Sequence, residues 1–409
     1  MCLAKKNLEL STRKTRDLGH FLRKTLGRDS VEAKLEERLT LENTRLSNYF
    51  FHDWVRYFEK DSKAKVNRHY VEHTVVVKEV DELIATVLDE RGLKKEEALI
   101  RIGLDGGGGF LKICMSAFNM RNQKLIKDSI NQKFKDSGVK KVLILGITPG
   151  VQENYSNVKK MWLECGLDKL DYHYTIATDL KLCNILLGLM NHSSMHPCCW
   201  CDIDKNNLDK KGNPRTYSSL LKKFFNYFDA IVDQDKAKQF GNVIHPPILN
   251  VDLEDEDTPV IHRVPPPELH LLLGPTQHMI DELSKVWPGV NGWLATLNVK
   301  RTDYFGGAFE GNDIRKIVKC AASLAERCPE EFIKYVHALV SFNEVVKSCY
   351  GETLHKNYEK DIQNFKAAYL KLPQKSMQSC IMLKNFVSIV ELVWVPIVNR
   401  HRSPSTKNS

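Results

Sequence analysis

No stretch of this 409-residue chain is apolar enough to suggest a bilayer span. The most apolar run, Ile381 to Val398, is interrupted by Lys384, Asn385, Glu391 and Pro396. The first residues hold no secretory leader, because Lys5 and Lys6 are followed by no apolar run. There is no Gly-Lys-Ser/Thr phosphate loop, no dinucleotide-binding fingerprint, no internal repeat and no low-complexity block. The eleven cysteines are odd in number and scattered, so they form no disulfide framework. These absences argue against membrane-spanning, secreted and P-loop enzyme classes, and they lead us to expect a reducing compartment, cytosolic or nuclear.

What is present is ordinary for a folded protein: 42% hydrophobic, 27% charged and 9% aromatic residues, enough for one large core or two to three smaller ones. Sixty Lys and Arg against 51 Asp and Glu leave a net charge of +9. The excess is concentrated at the start, where Lys5, Lys6, Arg13, Lys14, Arg16, Arg23, Lys24 and Arg28 face only Glu9, Asp17 and Asp29. Such an arm suits phosphate contacts, since each neutralised phosphate releases counterions; Arg13, Lys14 and Arg16 are the DNA contacts we nominate. The same charges also fit a solvated helix face.

The texture changes along the chain. Residues 1–98 read as a basic, mostly helical N-terminal region, as in Val31-Glu-Ala-Lys-Leu-Glu-Glu-Arg-Leu39. From Leu99 come short apolar runs: Ile100, Ile102 and Leu104; Leu111, Ile113 and Met115; Val142 to Leu145; Tyr174 to Ala177. These read as strands, with a helix at Asn154 to Cys165, and they predict an α/β or mixed sheet over 99–197. Residues 198–372 open on a Cys-x-x-Cys, carry an acidic cluster from Asp252 to Asp257, and turn helical from Pro265. Residues 373–409 form an irregular tail.

Three motifs carry chemistry. Asp105 ends an alternating run and is followed by Gly106 to Gly109, so its carboxylate is placed at a strand end above a tight turn; a plain hairpin looks the same. Asp179 sits where the run Thr175 to Ala177 gives way to the helix-like Leu180 to Met190, a position equally suited to an N-cap. Two such carboxylates from neighbouring strands are the hard oxygen donors that two-metal phosphoryl transfer requires. Cys198 and Cys201 in Pro-Cys-Cys-Trp-Cys are half of a tetrahedral zinc site, or ordinary buried thiols; His192 and His196 precede them and no second Cys-x-x-Cys follows.

Taken in order, these motifs resemble the core of the Transib transposases and of the V(D)J recombinase catalytic subunit, a DDE family. The match extends over about Leu99 to Leu372 and includes Pro265-Pro-Pro-Glu-Leu-His-Leu-Leu-Leu-Gly274 and Phe309-Glu-Gly-Asn-Asp-Ile-Arg-Lys316. The resemblance implies an RNase H-like mixed sheet core, a helical N-terminal domain and a largely helical zinc-type insertion and C-terminal region. It further implies Asp105 and Asp179 as catalytic ligands of Mg²⁺ or Mn²⁺, and Cys198 and Cys201 as zinc ligands. Arg315 and Lys316 would contact DNA, transposon terminal repeats would be the partner, and a homodimer and a nuclear location are implied as well. From the residues alone, Pro267 opens a helix, His270 is a packed core histidine, and Arg315 and Lys316 are surface charges.

The family continues with two zinc-binding histidines and a Glu that supplies the third metal-binding carboxylate. Here the chain reads Pro373-Gln-Lys-Ser-Met-Gln-Ser-Cys380 and on to Arg400-His401-Arg402, with no matching His pair and no matching Glu; Glu391 would substitute only by accident. The expectation is therefore a transposase-derived DNA-binding protein whose cleavage and strand-transfer chemistry is impaired. The alternative is a non-catalytic, domesticated DNA- or partner-binding remnant. Neutralising Arg13, Lys14 and Arg16 together should weaken DNA binding across all sequences and reduce the log–log salt slope by about three, one per lost phosphate contact. A salt titration followed by fluorescence anisotropy checks this, and an unchanged slope would remove the arm from the interface.

Overall fold

The computed structural model describes residues 47–61, 66–119, 142–191, 193–207, 212–230, 234–249, 256–302, 308–349 and 355–372. Six strands form one mixed sheet: β1 Phe50–Asp61, β2 Val66–Val77, β3 Ala98–Asp105, β4 Phe110–Asn119, β5 Leu143–Pro149 and β6 Tyr174–Ala177. Their spatial order is β1-β2-β5-β4-β3-β6. Neighbours are antiparallel except β3 and β6, which run parallel. Period-two burial drives the central strands: Ala98, Ile100, Ile102 and Leu104 of β3, and Leu111, Ile113, Met115 and Ala117 of β4, all turn to the same buried face. Helix α1 (Val80–Arg91) precedes β3, α2 (Tyr155–Glu164) joins β5 to β6, and α3 (Leu180–Leu186) follows β6. Helix α2 starts at Asn154, whose side chain caps the Asn157 N–H, and it buries Val158, Met161 and Trp162 at helical spacing.

The N-terminal expectation needs correcting. Within 47–98 the chain forms the long β1–β2 ribbon and only one full α-helix, Val80–Arg91, so this part is not a helical domain. The physical reason is a two-residue alternation: Val55 and Tyr57 are buried while Trp54 and Arg56 are exposed, a pattern that a helix would smear around its circumference. The boundary at 98 is also not structural, because β2 pairs with β5 through Val75–Ile147 and Val76–Gly146 and makes the sheet continuous across it. The basic arm, including Arg13, Lys14 and Arg16, and the tail 373–409 lie outside the described residues.

From Pro265 the chain is helical as expected, with α5 Glu268–Val286, α6 Gly289–Thr296, α7 Gly311–Lys319, α8 Ile333–Cys349 and α9 Tyr358–Tyr369; α4, Tyr217–Asp229, precedes them in a stretch that reads from sequence only as polar. Pro267 is the N-cap of α5, as read from the sequence. His270, by contrast, is exposed rather than packed in the core. Buried side chains of the sheet and of these helices belong to one hydrophobic cluster, in which Phe342 and Phe365 meet with ring centroids 4.8 Å apart. Among the described residues no helix is long and apolar enough to cross a membrane.

One side chain fixes the outer edge of the sheet. Asn157, fully buried on α2, accepts from Phe58 N at 2.7 Å and donates Nδ2 to Phe58 O and Gln152 O, each at 2.8 Å. Asn154 Nδ2 adds a bond to Phe58 O at 3.0 Å, so the edge strand is tied to the helix through its backbone. Asn157→Ala would orphan these groups and should lower stability by about 2–3 kcal/mol, read as a lower urea midpoint at unchanged m-value. A loss below about 0.5 kcal/mol would show that water replaces the amide.

Candidate functional site

The β3–β6 pairing sets Ile100 beside Tyr174, Ile102 beside Ile176 and Gly103 beside Ala177. Continuing two residues along each strand brings Asp105 level with Asp179. The chain stays extended there: Asp179 has φ −74° and ψ 173°, and Thr178 Oγ1 donates to Leu104 O at 3.3 Å. Adjacent parallel strands present aligned residues on the same face. Both carboxylates therefore stand at the carboxyl ends of neighbouring parallel strands, where open α/β sheets place their ligands.

Each Asp already has local partners. Asp179 Oδ1 accepts from Leu182 N at 2.7 Å, so the N-cap role is real and coexists with the strand-end position. Asp105 Oδ1 accepts from Gly107 N at 3.0 Å and its Oδ2 pairs with Lys112 Nζ at 2.7 Å; Lys112 is its register partner on β4. Burial pushes the Asp105 carboxyl up, but the hydrogen bonds from Lys112 and Gly107 and the Lys112 charge outweigh it, and the net pKa lies below the usual 3.8. The glycine turn is needed for its backbone: Gly108 and Gly109 adopt φ of 70° and 78°, and Gly109 O accepts from Gly150 N at 2.8 Å.

That last bond ties the turn to the β5–α2 loop, which delivers a carboxylate that sequence reasoning missed. Glu153 lies directly over Gly106: a Cβ there would come within 1.4 Å of Glu153 Oε1, so a side chain at 106 would push the Glu153 carboxylate aside. The Glu153 carboxylate is largely covered and pairs with Lys181, two residues beyond Asp179. Asp105, Glu153 and Asp179 thus converge on one end of the sheet with Lys112 and Lys181 between them. The only sequence signal for Glu153 was the Pro149-Gly150 turn that ends β5 at this end of the sheet. Among the described residues, no three His, Cys, Asp or Glu side chains are gathered tightly enough to hold an ion in this arrangement. Two of the three carboxylates are instead neutralised by ammonium groups.

Cys198 and Cys201 are buried in a tight knuckle. Trp200 N donates to Cys198 Sγ at 3.4 Å, and Arg215 closes the turn from below, with Nε bonding to Cys198 O at 3.2 Å and Cys201 O at 3.0 Å. The hydrogen bond from Cys201 holds the Cys198 thiol below its ordinary pKa against the effect of burial, and the same bond pushes Cys201 up. These sulfurs fit half of a zinc site. His196 does not complete it, since its Nδ1 and Nε2 face Asp202 O and Lys238 O at 2.8 and 3.0 Å, and Cys199 is turned toward Asn184 Oδ1 at 3.0 Å. His192 lies outside the described residues.

Arg315 and Lys316 sit on the exposed face of α7, opposite buried Ile314, Ile317 and Val318. Arg315 pairs with Glu268 at 2.7 Å and Lys316 with Asp313 at 3.3 Å. Gly311 packs against Leu269, whose Cδ1 would be 2.7 Å from an added Cβ. The segments 265–274 and 309–316, separate in sequence, are therefore one packed unit. No protein-family model matches the chain, and no curated protein matches it.

Lys112→Ala should raise the Asp105 pKa toward 3.8 or above, because burial then loses its main counterweight. A depressed folded pKa contributes stability above the unfolded value that is lost as pH falls through the folded one; with the depression removed the variant should lack this contribution, so its stability falls less than that of wild type on acidification. Carboxyl-carbon NMR titration, with Asp105→Asn to assign the resonance, measures the shift; an unmoved pKa would mean that the ion pair does not persist in solution.

Proposed function

We propose that the chain is a transposase-derived, DNA-binding protein of the Transib and V(D)J recombinase kind, with an RNase H-like core and a divalent-metal site at the carboxyl ends of β3 and β6. The observation that carries this reading is the alignment of Asp105 with Asp179 across the parallel pair, on a sheet whose β3–β4–β5 meander takes β6 on its far side. Glu153 is the nearest further carboxylate.

Asp105, Asp179 and Glu153 would hold Mg²⁺ or Mn²⁺, which supplies charge stabilisation and activates a water or a 3′-hydroxyl for attack on a phosphodiester. The residues' own part is to present hard oxygens from rigid strand ends and to keep Lys112 and Lys181 close by, where these exchange a carboxylate for a phosphate oxygen. Cleavage and strand transfer in this chain are impaired on this reading. The tail offers no Glu matching the family's third ligand, and an ion must displace two ammonium groups to bind. The same two ion pairs favour the second reading, a non-catalytic DNA-binding remnant in which the lysines hold the site closed.

Calorimetric titration of Mg²⁺ and Mn²⁺ into wild type and Asp105→Ala/Asp179→Ala tests the site. Binding present in wild type and lost in the double variant supports the metal-site reading. No binding to either leaves the remnant, and efficient Mn²⁺-dependent cleavage abolished by Asp105→Ala would show that the chemistry is not impaired.

A further inference from the structure

The β1–β2 ribbon divides its side chains by kind. On one face, among the described side chains from Phe50 to Phe58 and from His69 to Val77, there is no carboxylate; Asp53 and Glu72 both belong to the opposite face. The acid-free face carries rings and a guanidinium. His52 and His73 meet at 4.9 Å between centroids, Trp54 and His73 at 5.3 Å, and Phe58 and His69 at 4.5 Å, with exposed Arg56 between the two groups. Trp54 is 67% exposed, an unusual state for a tryptophan.

Register relates this face to the carboxylates. His52 pairs with Val75, Val75 with Ile147, Ile147 with Lys112 and Lys112 with Asp105. Paired residues share a face, so the ring-bearing side of the ribbon and the Asp105 side chain open onto the same side of the sheet. The row spans four inter-strand steps, about 19 Å. Trp54, Arg56 and Phe58 lie progressively beyond that row, past the end of the sheet where β3 and β6 finish. Exposed Phe110, two residues from Lys112 on β4, is a further ring between the ribbon and Asp105.

We propose that this face of the ribbon binds single-stranded DNA, with Trp54 and Phe58 as stacking platforms about 13 Å apart and Arg56 on the backbone phosphate between them. The occupant is set by complementarity. A polyanion with flat faces matches a surface that has a guanidinium, Arg56, beside exposed rings and, among the described side chains, no acid. The strand then runs over Phe110 toward the carboxylates, which gives the site reached in the preceding subsection a guided, unpaired substrate. The proposal rests on that reading for the strand's destination but not for its binding.

The test is anisotropy of fluorescein-labelled oligo(dT) with the full chain in EDTA, so that the result is independent of metal. Trp54→Ala should weaken binding about ten-fold or more, Trp54→Phe should restore most of it, and Arg56→Ala should reduce the log–log salt slope by about 0.7. Phe225→Ala, which removes another exposed ring, on α4 (56% exposed), should change nothing. Unchanged affinity in Trp54→Ala overturns the proposal, whether or not Mg²⁺ binds at the carboxylates. Unchanged affinity with an altered sedimentation coefficient overturns it in favour of a protein interface. Lost affinity in Trp54→Ala together with no metal binding keeps the ribbon and removes the metal site.

Discussion

The parallel pairing of β3 with β6 is the constraint on which the rest depends. Ile100, Ile102 and Leu104 on one strand and Tyr174 and Ile176 on the other must all reach the buried face, and a slip of one residue would turn every one of them outward. Burial therefore fixes the register, and the register aligns Asp105 with Asp179. No attraction between the two acids is needed to bring the strand ends together, because the hydrophobic face behind them sets the pairing.

Around that pair the charges are arranged in alternation. Lys112 faces Asp105 across β4, and Lys181, one helical start beyond Asp179, reaches Glu153. Gly106 supplies the close approach that lets Glu153 lie over the turn, and the Gly109–Gly150 backbone bond keeps turn and loop in step. The same loop supports the underside of the β1–β2 ribbon through Asn154, Asn157 and the Tyr70 hydroxyl, which accepts from Gln152 N at 3.2 Å. Ribbon, loop and glycine turn are thus joined by a continuous run of hydrogen bonds.

The cysteine knuckle follows a different logic. A fully buried guanidinium, Arg215, bonds to the carbonyls of Cys198, Cys201 and Gly241. Those bonds give the turn a fixed shape independent of further ligands. It explains how two sulfurs stay poised together although no third donor is found beside them among the described residues.

The local pattern was sufficient for much of this. Alternation of apolar residues located β3, β4, β5 and β6, Asn154 announced α2, and Pro267 announced α5, because each depends on interactions within a few residues of chain. Both aspartates were legible for the same reason, as acids at the ends of apolar runs. The β1–β2 ribbon was not, since its exposed face is as charged and aromatic as a solvated helix and only pairing with β5 identifies it as sheet. Glu153 was not legible either: only the Pro149-Gly150 turn marks its loop, and it lies over Gly106 because β4 and β5 pair and carry that loop to the same end. Sequence alone determined the strands from β3 to β6, helices α2 and α5, and the two aspartates at strand ends. Register, which depends on burying residues from distant strands together, decided which of those side chains meet.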